Sequence, residues 1–227
     1  MNLLVIGDNH GDIENTLDYV EKLEKLNFDL IIYIGDFGDI NPPKGFKQTD
    51  VVEIFLEELS SLEKPILAIP GNNDEKDVLS LIEKKDISIH KKGKIIGEFG
   101  FYGFGGAKTP FMTPFEPSDE EMEIGLNTGY NQVLNSKHKI QITHVPPYGT
   151  NLDIIRSGVH VGSYVVRNFI ESKKPILAVC GHIHEAKGTD MIGGTVLLNP
   201  GKFSEGYFGL VDVKNGLAKA RVLNLVE

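Results

Sequence analysis

Short apolar, β-branched runs recur along the chain, and most end in glycine followed by a polar residue. They are LLVIGD at 3–8, LIIYIGD at 30–36, ILAIPGN at 66–72 and ILAVCGH at 176–182; a fifth, KIQITH at 139–144, has threonine in the glycine position. Runs so continuously apolar suit strands buried on both faces. Amphipathic patterns lie between the first three. Asn15–Leu26 sets Leu17, Val20 and Leu23 at helical spacing, and Thr49–Leu62 opens on Thr-Asp before Val52, Phe55, Leu56 and Leu59. A third helix is predicted over about 160–171, ahead of the ILAVCGH run. Strand, helix, strand, helix, strand is the rhythm of a parallel sheet covered by helices. The middle, Ile95–Phe104, and the tail, Thr195–Leu225, read as short strands with glycine turns. The expected class is therefore α/β, two packed sheets flanked by helices, in a single domain over 1–227. Lys108–Gly129, with three prolines, reads as a long irregular loop or as a solvated connector with a short acidic helix.

Composition narrows this picture. At 41% hydrophobic the chain can bury a sizeable core. No apolar run approaches the roughly 20 residues of a bilayer span, and the opening MNLLVIGDNHGD lacks the pattern of a signal peptide. No membrane partner and a cytoplasmic location are the expectation. A net charge of −9 argues against a basic face for duplex nucleic acid. It leaves room for a small phosphorylated substrate, because acids that face metal cations invert the local sign. The lone Cys180, within PILAVC, reads as a small core residue. A homo-oligomer is left open.

Ligands of open α/β sheets gather outside the carboxyl ends of the strands. Five predicted strands each deliver a metal-competent group there: Asp8 and His10, then Asp36, Asn72, His144, and His182 with His184. Two carboxylates, four imidazoles and one amide carbonyl exceed what one tetrahedral zinc accepts. They suit two divalent ions sharing a bridging carboxylate. Without a thiolate the set favours Mn, Fe, Zn, Ni or Co over purely oxygen-preferring Mg or Ca. Blander roles compete at single positions. Asn72 is also suited to cap a helix starting at Asn73–Asp74, His160 to sit at the start of the third helix, and Asp12 to begin the first. His90 and His138 lie among lysines and read as solvated. The GFGGAKT segment at 103–109 lacks the glycine a phosphate loop needs directly before its lysine. No G-x-S-x-G occurs, so a serine hydrolase has no foothold.

The segments GDNHG (7–11), GDFGD (35–39), GNND (71–74), TH (143–144) and GHIH (181–184), in this order, resemble the motifs of the calcineurin-like metallophosphoesterases. The resemblance runs from Gly7 to His184, and Thr143–Gly201 looks like the small prokaryotic stand-alone members. It implies a four-layer αββα sandwich with two mixed sheets. It also implies a first metal on Asp8, His10 and His184, a second on Asn72, His144 and His182, and Asp36 bridging them. The implied reaction is hydrolysis of a phosphodiester or phosphomonoester by in-line attack of a metal-bound hydroxide. One position departs from the pattern. The family usually places a proton-donating histidine where this chain has Asn73, whose amide donates a hydrogen bond but transfers no proton at neutral pH. In relatives an acid matching Asp39 orients that histidine; here it loses the task, and His160 becomes a candidate proton source. Two other readings stand beside hydrolysis of a small ester. One is a nuclease of the same family, which the acidic charge disfavours. The other is a metal-binding scaffold with lost catalysis, which Asn73 alone supports.

Overall fold

The computed structural model describes residues 1–226. Strands β1 (Asn2–Ile6), β2 (Leu30–Tyr33) and β3 (Ile66–Ala68) run parallel, linked by α1 (Ile13–Leu23) and α2 (Gln48–Ser61), and β3 leads into α3 (Lys76–Lys84). Next come β4 (Lys92–Ile96), β5 (Phe99–Phe104), α4 (Asp119–Gln132), β6 (His138–Thr143), α5 (Tyr164–Lys173) and β7 (Leu177–Val179). The chain closes with β8 (Gly188–Ile192), β9 (Thr195–Asn199), β10 (Tyr207–Lys214) and β11 (Leu217–Asn224). Two mixed sheets result, ordered β11-β10-β1-β2-β3 and β4-β5-β6-β7-β9-β8.

The two-residue period of a strand explains why the runs are apolar throughout. In β1, Leu3 and Val5 enter the core between the sheets, while Leu4 and Ile6 pack outward against the helices. Leu30 and Ile32 of β2 repeat the inward choice, and Ile31 and Tyr33 the outward one. Across the gap, Phe101, Ile140, Ile142, Leu177 and Val179 close the central core from the second sheet. Tyr102, Phe104, Ala178 and Cys180 face the opposite layer, against Met122 and Leu126 of α4 and Val166 and Phe169 of α5. Helices α1–α3 cover the first sheet and α4–α5 the second, which makes the four layers αββα. Each fully buried Leu, Ile or Phe contributes about 1.5–3 kcal/mol. Cys180 is a free, buried thiol, as its apolar run predicts.

Local chemistry sets where the helices start. Asp12 caps α1, its Oδ1 accepting the Asn15 N–H at 3.1 Å. Four expectations are decided or corrected here. First, the 108–129 stretch is the connector with an acidic helix rather than a loop throughout, and it is irregular only to residue 118. There Ser118 and Glu121 form a reciprocal capping box at 3.1 and 2.8 Å, and α4 follows. Second, α3 begins at Lys76 with Glu75 as its cap, so Asn72 caps nothing. Third, Ser163 caps α5, with the Val166 N–H on its hydroxyl at 3.3 Å, and His160 lies outside the helix. Fourth, His90 is buried at 3% exposure and His138 is half-buried; neither is solvated as the neighbouring lysines suggest. No helix among the described residues is long and apolar enough to cross a membrane.

Candidate metal centre

The carboxyl ends of β1, β2 and β3 in one sheet meet those of β6 and β7 in the other. Backbone contacts lock the meeting point. Asp8 N–H donates to Gly35 O at 2.9 Å, Asn9 and His10 donate to Asp36 O at 2.9 and 3.0 Å, and Gly181 N–H donates to His144 O at 2.9 Å. Across the sheets, His144 Nδ1 lies 2.8 Å from Ile34 O. That carbonyl can only accept, so the Nδ1 proton is fixed and Nε2 is turned toward the cluster.

Two groups of donors converge there. Ligand atoms of Asp8, His10 and His184 lie within 4.8 Å of one another, and so do those of Asp8, Asp36 and His144. His10 Nε2 stands 3.1 Å from His184 Nε2, which is 3.2 Å from Asp8 Oδ1. Asp36 Oδ2 lies 3.7 Å from His10 Nε2 and 3.5 Å from His144 Nε2, between the groups. Asn72 Oδ1 is 3.0 Å from His144 Nε2. His182 joins through its ring, 5.2 Å centroid to centroid from His144, and through its backbone N–H, 3.3 Å from Asp8 Oδ1. Two nitrogens bound to one ion at about 2.1 Å are about 3.0–3.4 Å apart for angles between 90° and tetrahedral. The His10–His184 separation matches that geometry, and the donor set fits divalent metals.

The backbone at these positions is strained. Asp8, His10, Asp36 and His182 have φ of 54°, 52°, 54° and 68°, in the left-handed region, where a non-glycine residue costs about 1–2 kcal/mol. Four of the seven candidate ligands therefore hold conformations that only their surroundings maintain. Two glycines allow the approach. A Cβ on Gly71 would stand 2.0 Å from Asp36 Oδ1, and one on Gly181 2.4 Å from Asp8 Oδ2.

Charge follows from the burial of both carboxylates. Burial alone would raise Asp8 and Asp36. The hydrogen bond and charge of His184 hold Asp8 below the usual range, and His144 and His10 with the Asn73 N–H hold Asp36 further below it. Burial works against protonated His144, but the charges of Asp36 and Asp8 overcome it and raise its pKa to about 9. The same contest leaves His184 raised, whereas burial wins at His10 and takes His182 down to about 4. The site thus draws positive charge to itself, as a cation site must.

Asn73 adjoins the cluster. Its backbone N–H donates to Asp36 Oδ1 at 2.8 Å and its Nδ2 to Asp36 Oδ2 at 2.7 Å. Asp39 is exposed and accepts the Asn41 N–H at 3.1 Å. His160 is half-exposed on the segment leaving β6, with Nδ1 2.7 Å from Asp153 Oδ1; that partner is not one of the seven.

Sequence reasoning missed two supporting acids. Asp153 is fully buried and also accepts the N–H groups of Gly149, Thr150 and Gly162 at 2.9–3.0 Å, which fixes the loop that presents His160. Asp74, equally buried, ties the β2 and β3 exits together by accepting Gly38 N–H at 3.0 Å and Gly71 N–H at 2.7 Å. Burial first, then the charge of Asp36, pushes its pKa up to about 7. Asp74 ends the GNND motif, the one signal that could have marked it; Asp153 had none.

Converging imidazoles and carboxylates at the strand ends of an αββα sandwich define a metal-binding protein of the phosphoesterase kind. The chain belongs to the calcineurin-like phosphoesterase family, whose model matches residues 1–186. The family is divalent-metal dependent. An uncharacterized protein of Methanocaldococcus jannaschii is 33% identical over 205 residues, 88% of each chain. A crystal structure from Thermus thermophilus superimposes with a TM-score of 0.75 at 22% identity, covering 98% of both chains. A dimetal phosphatase from Danio rerio gives 0.64 at 12% identity, covering 99% of this chain and 98% of that one. These two structures share the fold.

Proposed function

We propose that residues 1–227 form one metallophosphoesterase domain that hydrolyses a small phosphomonoester or phosphodiester with two divalent ions, of Mn, Fe, Zn, Ni or Co. The observation that carries this reading is the position of Asp36, within 3.7 Å of His10 Nε2 on one side and 3.5 Å of His144 Nε2 on the other. A carboxylate so placed serves both groups at once. Asp8, His10 and His184 would hold one ion, and Asn72, His144 and His182 the other, with Asp36 shared. When bound, the ions activate water and neutralise charge on the phosphoryl oxygens. That the Danio rerio structure is titled a dimetal phosphatase supports two ions on this fold.

The chain's own residues do the rest. Asn73 orients Asp36 through its two donated hydrogen bonds. An amide supplies no proton, so a poor leaving group needs another acid. His160 takes that role in this reading, its ring oriented by buried Asp153. The net charge of −9 favours a small substrate over a nucleic-acid strand.

The test reconstitutes the protein with each metal in turn and assays nitrophenyl phosphate, bis-nitrophenyl phosphate and cyclic nucleotides, alongside Asp36→Asn. Hydrolysis of at least one ester that disappears in Asp36→Asn is expected. Turnover that survives the substitution refutes the assignment. Two bound ions with no turnover of any ester replaces it with the scaffold reading, to which Asn73 points.

A further inference from the structure

Beside the candidate metal centre, a cleft of about 200 Å3 opens between the turn at Gly11 and the loop that leaves β2. His10 lines it, together with Asp39, Asn41, Pro42 and Pro43 of that loop. His10 Nε2 is 3.7 Å from Asp36 Oδ2, so a group in the cleft is a neighbour of whatever the cluster holds.

The loop side of the cleft is built on fixed backbone. Buried Gln48 donates from Nε2 to Asp39 O at 3.0 Å and to Asn73 O at 2.8 Å, and its Oε1 accepts the Glu75 N–H at 2.6 Å. Gly38 makes room for it: a Cβ there would stand 2.2 Å from Gln48 Cγ. Gly11 N–H donates to Phe37 O at 2.9 Å, and a Cβ on Gly11 would lie 3.7 Å from Asp39 Cβ. The backbone of Asp39 is thus tied to the His10 turn and to Asn73 without help from its side chain. Gln48 has no polar atom to spare and acts as a positioning residue. The Asp39 and Asn41 side chains are exposed and available. Asp39 Oδ1 accepts the Asn41 N–H at 3.1 Å, whereas Oδ2 and the Asn41 amide group have no hydrogen-bond partner among the described residues.

Charge selects what fits. An ammonium would enter beside the cations of the proposed centre, which repel it, and no Phe, Tyr or Trp among the described residues lines the cleft to compensate. A carboxylate or second phosphate would meet Asp39. An apolar group would take water from a carboxylate and an amide and pair with neither. A hydroxyl donates and accepts at once, which matches Asp39 Oδ2 and the Asn41 amide. The volume is below the roughly 300–1,000 Å3 of sites for drug-sized ligands, so the unit is small.

We infer that this cleft binds the alcohol part of the substrate, and that this part is a neutral vicinal diol of glycerol or single-sugar size. One hydroxyl donates to Asp39, its neighbour accepts from Asn41, and the carbon chain lies against Pro42 and Pro43. The inference rests on the metal-centre reading for the place of the phosphate.

The probes are two phosphonates, whose carbon–phosphorus bond is not an ester: 3,4-dihydroxybutylphosphonate, which carries the diol, and butylphosphonate, which lacks it. In calorimetry on the zinc-loaded full chain the diol should bind about tenfold or more tighter. Asp39→Asn, which keeps an acceptor for the Asn41 N–H, and Asn41→Ala should each erase most of that difference. Equal binding of the pair, a difference that survives both substitutions, or 4-aminobutylphosphonate binding as tightly as the diol overturns the inference. Turnover separates this result from the reading beneath it. Hydrolysis of nitrophenyl phosphate with no preference for the diol rejects the subsite and spares the phosphoesterase; a diol preference with no ester turned over keeps the subsite and rejects hydrolysis.

Discussion

Acid should weaken this protein as soon as the pH falls below about 6.5, and the His90 ring accounts for a measurable part of that loss. Burial, reinforced by the charges of Lys91 and Lys92, takes its pKa from 6.5 down to about 3. An unfolded chain protonates this imidazole below about 6.5, whereas the native state resists until about 3. Between those values the unfolded state holds the extra proton, so stability falls as pH falls and is fully present above about 6.5. The slope reaches at most about 1.4 kcal/mol per pH unit, or about 2.7 kcal/mol by pH 4.5. In His90→Asn the amide oxygen replaces Nδ1 as acceptor for the Gly105 N–H, and nothing titrates. Urea unfolding of metal-free wild type and variant at pH 7.5, 6.0 and 4.5 measures the difference. Other histidines cancel between the two chains. Wild type should lose about 2–3 kcal/mol relative to the variant across this range. A difference that stays constant with pH refutes both the burial and its sign.

Gly125→Ala in α4 would gain about 1 kcal/mol of helix propensity. The new Cβ would lie 2.3 Å from the Phe104 ring, so overpacking of about 1–3 kcal/mol should lower the urea midpoint; an unchanged or raised midpoint contradicts the close packing. Gly181→Ala places a Cβ 2.4 Å from Asp8 Oδ2 and should cut metal affinity about 10–100-fold in calorimetry, and full affinity would show the contact to be harmless. Asn73→His should raise turnover on phenyl phosphate more than on nitrophenyl phosphate, because an added acid helps poor leaving groups most; equal effects count against it. His160→Gln should cost about 100-fold on phenyl phosphate and little on nitrophenyl phosphate, and uniform losses would reduce His160 to a binding or structural role.

The strands that carry the candidate ligands were legible because layers cover both faces of each. Leu3 and Leu4, or Ile31 and Ile32, must all be apolar when one points between the sheets and the next toward a helix. The same continuity hides which sheet a strand joins. That Asp8 follows a strand of one sheet and His144 a strand of the other was read from neither the runs nor the motifs. Helices α1 and α2 were readable from their periodicity. Helix α4 was legible only as a short acidic alternative to a loop, because Gly125 and Gly129 lie on its buried side, where a Cβ would strike Phe104 and Lys92 O. Close approach overrode propensity there. His90 was misread because two lysines follow it, yet its own side chain turns inward to Gly105. Asp74 and Asp153 are single acids whose meaning lies in the backbone N–H groups that surround them, and no periodicity announces such a role.

Strand β1 pairs with β2 on one side and, on the other, antiparallel with β10 from Val5↔Gly209 to Asn2↔Asp212; the Met1 amine reaches Val213 O. The strand that bears Asp8 thus closes against one made some two hundred residues later. At about 5–20 residues per second, synthesis leaves that edge open for roughly 10–40 s. Pairings so distant in sequence are slow to form. The last candidate ligand, His184, precedes β10, so every metal-competent group emerges before the sheet that must hold Asp8 is complete. Assembly of the candidate metal site is therefore a late event, after the closing hairpin emerges, and a chain truncated before β10 would carry all seven candidate ligands without the frame that strains four of them into place.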